Sequence, residues 1–249
     1  TLDRSSAASD VYKRQIISPS GELFLGYVNK ILAVCQEARR ALDPEAPPAG
    51  VLKISAIESA ATGRLPALLS RYHAHYPKVQ MQFGTDTWSN LVTDVVGHKL
   101  DGAIIAVNSD HPDIGKQEIY KEPLVLIAST SLGEITSPQV LNNLNIFMWP
   151  EGCPYRQALE NWLKAAKVST PITSIASYGT ILGCVSAGAG VSLVPTGVFE
   201  QYQKIGNIKG YTFESLAPIQ NYFVWNRNVG FHRARDAFAE LMTDAFRTI

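Results

Sequence analysis

The stretch VLKISAIESAATGRLPALLSRYHAHYPKVQMQFGT, Val51 to Thr85, decides the fold. VLKISAI reads as a strand. Leu65, Leu68, Leu69, Tyr72 and Tyr76 then fall on one face of a helix. VQMQFGT returns to strand character. A strand, a helix and a second strand in this order imply a parallel sheet with a right-handed crossover. Working outward, a helix through Leu91, Val92 and Val95 leads to the apolar strand DGAIIAV, which completes a βαβαβ unit. PLVLIAST is a further strand near the middle of the chain. A second alternating block follows: a short helix at Ser137 to Leu144, the strand NIFMW, and a helix carrying Leu159, Trp162, Leu163 and Ala166. Next come ITSIAS, the small-residue helix TILGCVSAGAG and the strand VSLVP. NYFVWNRN is the last strand. The final helix is expected to present Phe231, Ala234, Phe238, Leu241, Met242 and Ala245 on one face. Two α/β lobes of similar build result, each within the usual domain size.

Ahead of the lobes lies a helix with strong start signals: Ser18 as N-cap, Pro19 at the first position, Glu22 in the first turn. Its apolar residues Phe24, Val28, Ile31, Cys35, Ala38 and Leu42 alternate at spacings of four and three, the seam of a coiled coil. So narrow a stripe needs another helix beside it, and a second copy of the chain is the natural occupant. DPEAPPAG ends the helix and links it to the lobes. Residues 1–15 show no helical or strand period and are set aside as a non-native or disordered leader.

The chain has 249 residues, 46% hydrophobic and 18% charged, an ordinary soluble composition. Lysine plus arginine equals aspartate plus glutamate at 22 each, without the basic excess of a self-sufficient nucleic-acid binder. Cys35, Cys153 and Cys184 form no C-x-x-C pair, which argues against a zinc knuckle or a thioredoxin-type motif and for a reducing, cytoplasmic compartment. No apolar run reaches membrane-spanning length, and the amino terminus lacks the apolar core of a signal peptide. Neither a metal nor a cofactor is expected.

Five ordered segments then carry a family resemblance. SPSGELFLGYVNKIL resembles the junction of wing and linker helix in LysR-type transcriptional regulators. GVLKISAIESAATGRLPALLSRYHAHYP resembles the opening of their effector-binding domain, and TDTWSNLVTDVVGHKLDGAIIA its second helix and third strand. GCPYRQALENWL and SYGTILGCVSAGAGVSLVP resemble its second lobe. The resemblance implies two Rossmann-like lobes of periplasmic-binding-protein type (type 2), joined by two crossover strands near Ala128 and Gln220. It divides the chain into 16–45, the end of the wing and the linker helix; 50–127 plus 219–249, the first lobe; and 128–218, the second. It implies a small-molecule effector, a dimer (a tetramer in the full-length form), and DNA contact only through a winged helix-turn-helix that would precede Ser18. A solute-binding protein of a transporter or an enzyme on the same scaffold are the rivals.

In doubly wound sheets ligands sit beyond the carboxyl ends of the strands, among helix N-termini. That rule selects Glu58, Ser59 and Thr62 after the first strand, and Thr85, Asp86, Thr87 and Trp88 after the second. It adds Ser129 and Thr130 at the expected hinge, Gly152, Cys153 and Arg156 in PEGCPYR, and Tyr178 and Thr180 in SYGT. Free N–H groups at helix starts and the guanidinium of Arg156 favour an anionic ligand. Other roles stay open for several of these: caps for Ser59 and Thr62, core packing for Trp88 and Tyr178, and a surface pair with a lysine for Glu58, which if it faces the cleft argues instead for a ligand with an amine or hydroxyl. Cys153 has no histidine within its own block to serve as a base. It is read as pocket floor, with a redox role the lesser alternative.

Overall fold

Two five-stranded sheets share the chain, and each borrows a strand from the sequence territory of the other. The computed structural model describes residues 17–41, 46–203 and 207–247. The first sheet runs in the order β2 (Val79–Thr85), β1 (Gly50–Ala56), β3 (Gly102–Ile105), β10 (Ile219–Asn226), β4 (Ile114–Glu122). The second runs β7 (Ile172–Ser174), β6 (Ile146–Met148), β8 (Val191–Pro195), β5 (Leu124–Ser129), β9 (Ile208–Tyr211). Strands β1, β2 and β3 are parallel, as the alternating pattern requires, and β6 is parallel to β7 and β8. The late strand β10 enters the first sheet antiparallel to β3 and β4, while β5 enters the second antiparallel to β8 and β9.

The chain therefore crosses between sheets twice, once at Pro123 and once over 212–218. The first crossing was expected near Ala128. It falls earlier because β4, a strand absent from the sequence reading, lies ahead of it and belongs to the first sheet. In IGKQEIYKE charged and polar residues hide the buried positions Ile114, Gly115, Tyr120 and Glu122. All of β5 belongs to the second sheet. It is buried on both faces, with Leu124, Leu126 and Ala128 in the larger core and Val125 and Ile127 in a second core under Tyr178, Ile181 and Val185.

Helices α2 (Glu58–Gly63), α3 (Leu65–His75), α4 (Trp88–Val96) and α8 (Arg233–Phe246) serve the first sheet. In α3, Leu65, Leu68 and Tyr72 are buried, and the Tyr72 hydroxyl donates to Ala234 O of α8 at 2.7 Å. The face of α8 is Ala234, Phe238, Met242 and Phe246. Phe231 is not part of it. His232 caps α8 by accepting from Arg235 N at 3.2 Å, so Phe231 lies outside the helix and 54% exposed. Helices α5 (Pro154–Ala165), α6 (Tyr178–Ser186) and α7 (Thr196–Tyr202) belong with the second sheet, together with one 3₁₀ turn at Pro138–Asn143.

At Pro123 the two halves are bolted together. Arg64, between α2 and α3, donates to both carboxylate oxygens of Glu122 at 2.8 Å. Glu122 also accepts from Gly197 N of α7 at 2.8 Å, and Arg64 reaches Glu200 of the same helix at 3.1 Å. Glu122 is 3% exposed, so this ion pair works in a poor dielectric, and donating to Glu122 holds the Arg64 guanidinium above its ordinary pKa. Beside the pair α2 and α7 meet at two glycines. A Cβ on Gly63 would stand 2.7 Å from the carbonyl carbon of Gly197.

The long leading helix α1 spans Pro19–Ala41, with the Ser18 hydroxyl accepting from Gly21 N at 3.2 Å as expected of its cap. Along its expected seam Phe24, Ile31, Cys35 and Ala38 are exposed and Val28 is half-buried; Leu42 lies outside the described residues. The leader, residues 1–15, also lies outside them.

Glu122→Gln keeps the shape and one acceptor but strips the charge from a buried guanidinium's partner. It should cost about 3 kcal/mol in urea-induced unfolding. Gly63→Ala forces α2 and α7 apart and should cost about 1 to 3 kcal/mol by the same measurement. An unchanged unfolding midpoint for either variant would show that this junction does not hold the halves together.

Candidate functional site

Because both crossings lie at the same end of the sheets, the carboxyl ends of the parallel strands from both halves face each other. Leu124 pairs with Pro195 at the end of β8, and Ile219 with Glu122 at the end of β4. A cavity of about 530 Å³ opens between them, within the usual range for a small-molecule site. The first half supplies the turn after β1 and the turn after β2. The second supplies the turns after β6 and β7.

Most of the expected residues reach it. Glu58 and Ser59 line it from the start of α2, Thr85, Asp86, Thr87 and Trp88 from the β2–α4 turn, Gly152 and Cys153 from the β6–α5 turn, and Tyr178 from the start of α6. The turn after β2 is self-braced. Asp86 Oδ1 accepts from Thr87 N at 2.7 Å and from Asn90 Nδ2 at 2.8 Å, while Thr87 caps α4 through Asn90 N at 3.4 Å. Gly152 adopts φ +87°, a left-handed conformation open to glycine, and no neighbour would touch a Cβ there. That turn aims the Gly152 carbonyl at Trp88, whose Nε1 donates to it at 3.1 Å across the gap between the halves.

Five expected residues stay away. Thr62 sits in the last turn of α2 and donates its hydroxyl to Glu58 Oε1 at 3.1 Å, so it steadies a lining residue without lining the cavity. Ser129 and Thr130 lie at the far end of β5. Since the crossing is at Pro123, that strand begins at the hinge and runs away from it; Ser129 is buried and closes on Ser131 at 2.8 Å. Thr180 bonds the Ser177 cap at 3.2 Å instead. Arg156, the expected partner of an anion, is turned under the floor. It donates to Glu160 at 2.7 Å, Ser174 Oγ at 2.7 Å and Trp149 O at 3.1 Å.

The sequence reading also left out lining residues, chiefly Ile57, Trp149, Glu151, Tyr155 and Ser177. Trp149 was read as the end of an apolar strand. The crevice rule, started one residue earlier at the true end of β6, Met148, takes it in. Tyr155 is buried, with its hydroxyl 3.4 Å from Asn221 Oδ1 of β10, a second link between the halves. Trp149 and Tyr178 meet edge to face with ring centroids 5.2 Å apart.

Two phenols and the thiol at this site are held neutral. Burial pushes the phenols of Tyr155 and Tyr178 above their ordinary values. Burial likewise pushes the Cys153 thiol up, against the pull of the Arg156 and Tyr155 amides that point at its sulfur. A thiol so placed is a poor nucleophile at neutral pH. Among the described residues no group of histidine, cysteine and carboxylate side chains could hold a metal ion.

Comparison with known proteins places this architecture. The sequence profile of the LysR substrate binding domain matches residues 45–247. The uncharacterized HTH-type transcriptional regulator YusT of Bacillus subtilis is 33% identical over 235 residues, covering 91% of this chain and 77% of YusT. GltR, an HTH-type transcriptional regulator of the same organism, is 31% identical over 235 residues, covering 93% of this chain and 79% of GltR. Among solved structures, a full-length OxyR variant from Pseudomonas aeruginosa superposes with a TM-score of 0.76 at 20% identity, over 93% of this chain and 78% of that one. The effector binding domain of QuiR in complex with shikimate gives 0.68 at 16% identity, over 80% of this chain and 98% of that domain. The fold is therefore the two-lobed periplasmic-binding-protein type. With relatives named as regulators and none of these named as an enzyme, the chain belongs to the LysR family of transcriptional regulators and carries its effector-binding domain.

Proposed function

We propose that the chain senses a small molecule held between its two lobes and passes the resulting change of lobe arrangement, through a dimer, to DNA-binding heads. The observation that carries this reading is the cavity itself, lined from both halves and bridged by the Trp88–Gly152 hydrogen bond. A molecule seated there touches both lobes at once, so it binds one lobe arrangement better than another. Without that difference in affinity no signal passes. The complex of QuiR with shikimate supports the same use of the domain.

The lobes in this reading are 50–122 with 219–247, and 124–218, joined at Pro123 and over 212–218. Helix α1 supplies the dimer contact, since Phe24 is 68% exposed and Ile31 62% exposed in the single chain. A second copy laid along the same seam would cover both. Among the described residues no helix is long and apolar enough to cross a membrane, which agrees with work in the cytoplasm. The anionic ligand class expected from the sequence rested on Arg156 and on helix N-termini; Arg156 lies beneath the floor, bonded to Glu160 and Ser174, and lends it no support.

Three measurements test this reading. In a thermal-shift panel of metabolites, a ligand at about a hundred times its dissociation constant should stabilise the chain by roughly 2.7 kcal/mol. Tyr178→Ala should abolish the response, and a broad panel without a hit would remove the sensor reading. Phe24→Glu with Ile31→Glu should convert a dimer to a monomer by light scattering; a variant that remains dimeric would move the contact elsewhere. Cys153, its thiol raised by burial, should react with iodoacetamide at pH 7 more slowly than glutathione does, and faster alkylation would reopen a redox role.

A further inference from the structure

Among the described residues, the cavity between the lobes is lined by three carboxylates, Glu58, Asp86 and Glu151, and by no lysine, arginine or histidine. Arg156, beneath the floor, donates to Glu160 at 2.7 Å and stands 3.7 Å from Glu151, so Glu151 is partly neutralised while Glu58 and Asp86 are not. Glu58 has no cationic partner among the described residues; its Oε1 accepts only the Thr62 hydroxyl. Half-buried at the start of α2, it is the carboxylate best placed to feel a ligand's charge.

The helix N-termini do not reverse this sign. At α4 and α6 the protein's own side chains take up amides: Thr87 accepts from Asn90 N, Ser177 from Thr180 N, and Asp86 from Thr87 N; the start of α2 has no side-chain cap, but there the Glu58 carboxylate stands beside the open amides. Pro154 brings no N–H to the start of α5, and the next two amides there point at the Cys153 sulfur. An anion entering would face the unpaired carboxylates of Glu58 and Asp86, with Glu151 shared by Arg156.

The walls suit the opposite charge. Trp88, Trp149, Tyr155 and Tyr178 surround the space, and aromatic faces attract ammonium groups, more strongly where water is excluded. Independently of the carboxylates, Ser59 is 6% exposed and lines the cavity, and its Oγ makes no well-formed hydrogen bond among the described residues, with the Tyr155 and Tyr178 phenols beside it as partners. That hydroxyl can turn from the phenols to accept from a ligand. The indole Nε1 of Trp149 is buried without a partner and calls for one acceptor.

We infer that the ligand is a compact organic ammonium ion with an apolar body and one hydrogen-bond acceptor, held by Glu58 and Asp86 and enclosed by the four aromatic rings. This rests on the sensor reading and narrows it to a chemical class.

The test uses the whole chain and a panel of primary and quaternary ammonium compounds, each beside its uncharged and carboxylate isosteres. Benzylammonium, benzyl alcohol and benzoate form one set; choline and 3,3-dimethylbutan-1-ol form another. Calorimetry and thermal shift should show binding by the cations, at least ten-fold tighter than by the uncharged isosteres. Affinity should fall at least ten-fold in Glu58→Gln, with Asp86→Asn as a second variant of unchanged shape, and both variants should keep the parental melting temperature without ligand. Binding by benzoate but not by the ammonium compounds, lost in Trp149→Ala, would overturn the cationic class and leave the sensor reading standing. Silence of the ammonium compounds alone overturns the class, and silence of the wider metabolite panel as well removes both. Ammonium binding untouched by Glu58→Gln and Asp86→Asn would also overturn it.

Discussion

The buried pair of Arg64 and Glu122 sits where the chain leaves its first sheet, and much of the molecule is arranged around it. Glu122 ends β4, one residue before the crossing, and carries two partners from opposite halves: the guanidinium of Arg64 and the Gly197 amide at the start of α7. A charge this deeply buried is tolerable only with such complete pairing. The pairing in turn fixes α2 against α7. The first residues of α2 are Glu58 and Ser59, so the same junction that joins the halves also positions part of the cavity lining. Stability and ligand geometry are thus coupled at one point.

The distribution of hydrogen bonds around the cavity is uneven. Near the hinge the contacts are short, charged and buried. At the rim, one indole N–H to one carbonyl spans the gap, and that carbonyl is offered by a glycine in a left-handed turn. Thermodynamically the halves are tied firmly at one end and lightly at the other. A ligand that adds its own contacts at the light end can compete with what is already there, whereas it could not compete with the Arg64 cluster.

The alternating strands and helices could be read from the sequence because hydrophobic period is local: the face of α3 and the buried alternation of β1 are visible within a few turns. So was the rule that places a site beyond strand ends, which found the turns after β1 and β2. What could not be read depends on partners far away in the chain. Strand β4 is polar in sequence because its buried carboxylate has its arginine in another element, and without β4 the crossing was placed too late, carrying Ser129 and Thr130 to the wrong end of β5. Arg156 looked like a cleft residue from its place in the first helical turn. Its side chain is directed instead by Glu160 one turn on and by Ser174, which only the fold brings near. Trp149 was hidden for another reason, since an aromatic ending an apolar strand looks the same whether it faces core or cavity.

The two connections between the halves are unequal in length. One is a single proline, its φ fixed by the ring, flanked by paired strands and a buried carboxylate; the other runs over 212–218. The longer connection is itself anchored to the second half: Phe213 packs on the ring of Trp162, whose Nε1 donates to Ser215 Oγ at 2.8 Å, and Leu216 is buried in the core. A body joined so at one end moves as a door does on its hinge side. Small rotations at Pro123 become larger displacements at the rim, in proportion to distance from it.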